Sequence, residues 1–224
     1  MIYVYGFLAA PAGGPELSGL DDAPVEPLEL AGLTLAVSRL EGGAPEATED
    51  GILCHARVVE ELTRTADAVL PARFGLVYPD EVGLRRAVDE HAGELRRGLE
   101  RVRGCVELGL RVLMPETDER PAVTADGGEY LRSRLRETTE RDRLARDVDD
   151  ALVGLARDHV RSSPPSGEVL LTAAYLLPQG SVDEFRRALR KLEWSHPQLD
   201  LICTGPWPPY SFAASPTPTL AEAR

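Results

Sequence analysis

Long apolar runs are missing from this chain of 224 residues. No uninterrupted stretch approaches the ~20 residues that a membrane-crossing helix needs, so no membrane segment is expected. Cysteine is scarce. Cys54, Cys105 and Cys203 lie far apart, which excludes a CxxC metal knuckle and an even-numbered disulfide framework and leaves reduced cytosolic thiols as the expected state. Basic charge is also short: 25 Lys and Arg stand against 37 Asp and Glu, a formal net charge of -12. That balance repels phosphate backbones and anionic headgroups and argues against nucleic acid or a membrane as partner. There is no GxGxxG after the first strand, no GxxxxGK[ST] loop and no GxSxG elbow, so three common grounds for an enzyme or nucleotide site fail. The four histidines, His55, His91, His159 and His196, form no HxxxH or HExxH pair, and none sits at metal spacing from a cysteine. Neither metal nor cofactor is expected. The first residues, Met1 to Gly6, carry no basic n-region and alternate like a strand rather than a signal peptide. These absences together lead to the expectation of a soluble cytoplasmic protein that is not an enzyme.

Hydrophobic residues make up 43% of the chain, enough for packed cores, and the length suits two modest domains. Residues 2–9 read as a strand, Pro11–Pro24 as a loop, and the runs 28–30 and 33–40 as a hairpin about Ala31-Gly32. Thr48 opens a helix whose apolar stripe is Ile52, His55, Val59, Leu62, Ala66 and Val69. Residues 70–78 read as a strand, 80–102 as a second amphipathic helix, 105–114 as a half-buried strand and 128–160 as a charged helix with Leu131, Leu135, Leu144, Val148, Leu152 and Leu155 inward. The arginines between Arg132 and Arg146 are interleaved with Glu137, Glu140, Asp142 and Asp147, the pattern of a solvated helix face. His91, beside Glu90 and Glu94, reads as a helix histidine satisfied by a neighbour. A strand at 169–177, a helix at 182–192 and a strand at 199–204 complete a β-α-β-α-β order. That order suits an α+β domain of ferredoxin-like type. Residues 1–103 are assigned to an N-terminal α+β domain, 104–212 to the C-terminal domain with its helical extension, and 213–224 to a disordered tail without apolar pattern.

Two segments stand out. In Leu70-Pro71-Ala72-Arg73-Phe74-Gly75-Leu76-Val77-Tyr78 an arginine lies inside an apolar run, where a guanidinium needs an acceptor; pairing with a carboxylate or carbonyls competes with contact to a partner. In Thr204-Gly205-Pro206-Trp207-Pro208-Pro209-Tyr210-Ser211-Phe212 a strand runs into a rigid aromatic-proline stretch, because prolines donate no ladder hydrogen bonds. Its large rings suit packing against their own domains, with Trp207 as a structural clamp; a PxxP ligand for a partner's groove is the other reading. Arg73, Phe74, Gly75, Trp207, Pro208, Pro209 and Tyr210 are thus the candidate structural or interaction residues.

These segments, in this order and spacing, resemble the F/L family of gas vesicle proteins. The resemblance includes Tyr3-Val4-Tyr5-Gly6, His55 with Val58-Val59-Glu60, the LPxRFG stretch at Leu70–Gly75, and Gly104-Cys105-Val106-Glu107. It continues through Gly128-Glu129-Tyr130-Leu131 and Ala174-Tyr175-Leu176-Leu177-Pro178 to the GPWPPYSF stretch ending at Phe212. Ala72 stands where a larger aliphatic residue is expected. The resemblance implies two α+β domains, the second ferredoxin-like with added helices, no catalytic site and no cofactor. It further implies an accessory role in building gas vesicles, with the hydrophobic shell protein and other accessory proteins as partners. The alternative from another class, a ferredoxin-like regulatory protein sensing a small metabolite, requires a pocket of converging polar groups to which no sequence feature points.

Overall fold

The structure, a computed structural model, describes residues 1–9, 17–115, 127–162 and 167–213. By its contacts the chain forms two units, Met1–Val106 together with the segment from Trp207, and Glu107–Pro206. The terminal aromatic-proline stretch therefore groups with the first unit, whereas the sequence reading placed it in the C-terminal domain. The tail expected beyond Ala213, the loops expected at 11–16 and 116–126, and the break at 163–165 lie outside the described residues.

In the first unit, β1 (Ile2–Leu8), β2 (Glu26–Leu30), β3 (Leu33–Arg39), β4 (Val69–Pro71) and β5 (Val77–Tyr78) form one sheet of order β2-β3-β1-β4, with β5 also paired to β1. The β2–β3 hairpin turns on Ala31 and Gly32, both at positive φ, as a two-residue turn matched to strand twist requires. Strand β1 is buried along its whole length, on both faces, and not on alternate residues as the expected alternation implies. Its pairing with β4 puts Leu8 beside Val69 and Phe7 beside Leu70. Leu8 and Val69 join Val58, Val59 and Leu62 of α1 (Glu49–Thr65) in one core cluster. Leu70 points the other way, to α2 (Glu81–Val102), where a Cβ on Gly98 would meet its side chain at 2.9 Å. One helix thus covers each face. Thr48 and Asp80 cap these helices by accepting the N–H groups of Gly51 and Gly83.

Three expectations need correction here. Helix α1 ends at Thr65, so Val69 belongs to a strand and not to its stripe; Ile52, in the first turn, is 45% exposed. The apolar run 70–78 is two short strands broken by a turn and not one. The reason is Gly75, whose φ of +88 lets Leu76 N–H return to the Arg73 carbonyl at 3.3 Å.

In the second unit, β6 (Cys105–Leu113), α3 (Gly127–Val153), β7 (Asp158–Ser162), β8 (Val169–Pro178), α4 (Val182–Ser195) and β9 (Asp200–Trp207) follow in a βαββαβ order. The sheet order β7-β8-β6-β9 is that of a ferredoxin-like fold, with the first and third strands central. Leu108, Leu110 and Val112 of β6 and Ala173, Tyr175 and Leu177 of β8 meet Leu144, Val148 and Leu152 of α3 and Phe185 and Leu189 of α4. The helix read to residue 160 is shorter than expected, and its last part is strand β7, antiparallel to β8. Leu135, expected inward, is exposed. The arginine-rich stretch is a solvated face, with Arg143 paired to Asp147.

Candidate functional site

The LPARFG segment is held from below by two aromatic side chains and a histidine. His55 on α1 is 3% exposed, and its Nε2 lies 3.0 Å from the Ala72 carbonyl. A carbonyl only accepts, so Nε2 carries the proton and Nδ1 accepts the Tyr3 hydroxyl proton at 2.8 Å. The Tyr3 oxygen in turn accepts Gly75 N–H at 3.2 Å. One chain of hydrogen bonds therefore ties both ends of the turn to β1 and α1. Phe74 closes it, edge-on to Tyr3 and to His55 with ring centres 6.1 and 5.8 Å apart. Burial pushes the Tyr3 hydroxyl well above the ordinary range, and burial holds the His55 pKa below its ordinary value against the Ala72 hydrogen bond. The imidazole is neutral and does structural work. Tyr5 stacks on it and anchors the neighbouring loop, donating to Ser38 Oγ at 3.2 Å and accepting Leu20 N–H at 2.9 Å.

Arg73 does not follow the expectation of a buried, paired guanidinium. It is exposed at the corner of the turn, with no ion pair or side-chain hydrogen bond among the described residues. The turn made by Gly75 rotates it out of the apolar strand, and water solvates the charge.

The terminal segment differs from expectation in which ring is buried. Trp207 is 47% exposed, while Pro208, Pro209 and Phe212 are buried and Tyr210 is half-buried. Phe212 lies under the Arg101 guanidinium at 5.3 Å, a cation–π contact with α2, and Tyr210 packs against the α1-side core. Burial, with a smaller push from Glu60, lifts the Tyr210 hydroxyl to about 12. The anchor of the segment is Phe212 with its prolines; Trp207 is not the buried clamp.

A second polar centre, in the other unit, has no counterpart in the sequence reading. Asp149 of α3 is 2% exposed and accepts the Tyr175 hydroxyl at 2.5 Å, with Arg161 at 3.4 Å and His159 at 4.0 Å. Burial first, then the Asp149 carboxylate, drives the Tyr175 hydroxyl far upward. Nothing in the Asp147–Asp150 run marks which aspartate turns inward; only its step from Leu152 and Ala145 hints at it. His91 donates its Nδ1–H to the Ala87 carbonyl at 2.9 Å, a helix histidine satisfied by its own turn. Among the described residues no three His, Cys, Asp or Glu side chains gather as a metal site.

Residues 1–214 match the family model described as gas vesicle synthesis protein GvpL/GvpF. The chain belongs to the GvpL/GvpF family. Among its relatives, gas vesicle protein L of Streptomyces sp. (strain CB03234) is 29% identical, over 93% of this chain and 81% of that protein. Gas vesicle protein F1 of Halobacterium salinarum is 24% identical, over 94% and 92%. The crystal structure of gas vesicle protein GvpF from Anabaena sp. PCC7120 superposes with a TM-score of 0.78 at 21% identity, covering 95% of each chain, and supports the fold. The family is one of gas vesicle structural and assembly proteins and is not a known enzyme class. Membership supports a gas vesicle role for this chain. No helix among the described residues is long and apolar enough to cross a membrane.

Proposed function

We propose that this protein is a cytoplasmic accessory factor of gas vesicle formation that binds the hydrophobic shell protein and other accessory proteins and catalyses no reaction. The observation that carries the reading is the family match along residues 1–214. An acidic, well-folded carrier is physically suited to shielding an aggregation-prone apolar subunit before it joins a growing shell. Within the first unit, the solvent-facing Arg73 and the half-exposed Trp207 are the residue types on which protein contacts concentrate. Both belong to the partner-binding surface, while Phe74, Gly75, Pro208, Pro209 and Tyr210 hold the backbone beneath them.

Co-expression with the shell protein of the same organism tests this reading. The expected result is a co-purifying complex, or shell protein kept soluble, and deletion of the gene should impair vesicle formation. Arg73→Glu and Trp207→Ala should weaken capture of the shell protein while leaving the melting temperature within a few degrees of the parent. Normal vesicles in a deletion strain without a paralogue would sink the proposal, as would saturable, specific binding of a small metabolite.

A further inference from the structure

Helix α4 carries a surface that its own unit does not use. Arg187, Arg190 and Lys191 make no ion pair or hydrogen bond among the described residues, and Trp194 beside them is 91% exposed. Together with Ser195 they line a shallow, open depression of about 590 Å³. Three free cations around a bare indole stand out in a chain of net charge -12. An exposed indole costs hydration free energy, and a cation cluster repels itself, so both gain from an acidic, apolar cover.

The solvent face of α1 offers the complementary pattern. Leu53 is 55% and Ile52 45% exposed, the one adjacent pair of large apolar side chains standing out among the described residues. Glu46, Glu49 and Asp50 precede them, all exposed. The two patterns share a register. Laying the helices side by side in the same direction with Trp194 over Leu53 brings Lys191 to Asp50 and Arg190 to Glu49, and leaves Arg187 beyond the Thr48 cap, on the side from which the exposed Glu46 leads into the helix. Inside the two helices each step is the same number of residues on both chains, so the helical rise of about 1.5 Å per residue keeps these two pairs aligned with the Trp194–Leu53 contact. Arg57, one turn beyond Leu53, falls past the end of α4 and meets none of the three cations.

From this match we infer that the protein associates with a second copy of itself, α4 of one molecule docking on the N-terminal half of α1 of the next. The contact joins two different faces, so every bound copy still presents one free face of each kind and can add further copies. Charge complementarity chooses the occupant: the acidic helix with an apolar anchor that α4 requires is present on the same chain at the same spacing. This inference goes beyond the proposed shell-protein contact and involves neither Arg73 nor Trp207.

Sedimentation of the full chain over a concentration series tests it. The average mass should rise with concentration at low salt and fall back toward the monomer at high salt, because exposed ion pairs are screened. Arg190→Glu with Lys191→Glu, and separately Glu49→Lys with Asp50→Lys, should each weaken association at least about tenfold. Mixed in equal amounts, the two variants should associate again, since each supplies the face the other needs. In a Trp207→Phe background, Trp194 emission should shift to the blue over the same concentration range. Should the α1 reversal lower the melting temperature, Leu53→Glu, which keeps the first-turn acids, replaces it. A chain that stays monomeric at every concentration overturns the inference. So does association that survives the α1 change, or a mixture of variants that stays inert.

Discussion

Each unit buries a tyrosine hydroxyl, and the two are satisfied in opposite ways. In the first unit Tyr3 gives its proton to a neutral imidazole and takes one from a backbone N–H, so no charge is buried and the far ends of the network are main-chain groups of the LPARFG turn. In the second unit Tyr175 donates to the Asp149 carboxylate, whose other oxygen faces Arg161 and His159, so the ends are side chains and the centre is ionic. A neutral network costs little to bury and pins the backbone conformation of an exposed loop. A charged one demands that every partner stay in place, because a carboxylate left alone in a core loses several kcal/mol of solvation. The first arrangement shapes a surface; the second locks α3 onto the sheet.

The sharpest way to break this comparison is to remove the charged centre. Asp149→Ala should lower stability by about 3 kcal/mol, the low end for a broken buried pair because Arg161 is 41% exposed and can turn to water. Urea unfolding measures it, and Asp149→Asn should cost less because its amide oxygen still accepts the Tyr175 hydroxyl. His55→Phe should cost about 2 kcal/mol, since the Tyr3 hydroxyl and the Ala72 carbonyl lose their partner while the apolar volume is kept.

The neutral network also predicts a pH response. The folded His55 pKa lies below its ordinary value of 6.5, so between the two the unfolded chain binds more protons. Its contribution is complete above about pH 6.5 and declines as pH falls toward the folded value. Melting curves at neutral and mildly acidic pH should therefore show the parent losing more stability than His55→Phe. Equal losses would mean that the imidazole takes up its proton as readily in the folded chain as in the unfolded one.

Smaller effects follow at the edges of the first network. Gly75→Ala forces an L side chain into φ of +88 and should cost about 1–2 kcal/mol, although a Cβ there would meet no atom within 4 Å. Differential scanning calorimetry should find it milder than His55→Phe. Tyr78 buries a hydroxyl that finds no partner among the described residues, so Tyr78→Phe should be neutral or slightly stabilising.

What the sequence determined by itself follows from local periodicity and capping. The α2 stripe, the His55, Val59 and Leu62 part of the α1 stripe, the helix start at Thr48, the Ala31-Gly32 hairpin and the α+β class were legible because each depends on residues close in the chain. The family was legible because its two distinctive stretches survive as words. Tertiary structure decided what local pattern leaves open. It turned Arg73 outward and Phe212 inward, because a single positive φ at Gly75 and the position of Arg101 on α2 set those directions. It made residues Asp158–Ser162 a strand, since pairing with β8 outweighs helical propensity at the end of α3. It also selected Asp149 from a run of aspartates, because burial beside Tyr175 is a property of two elements brought together, and no window along one of them contains it.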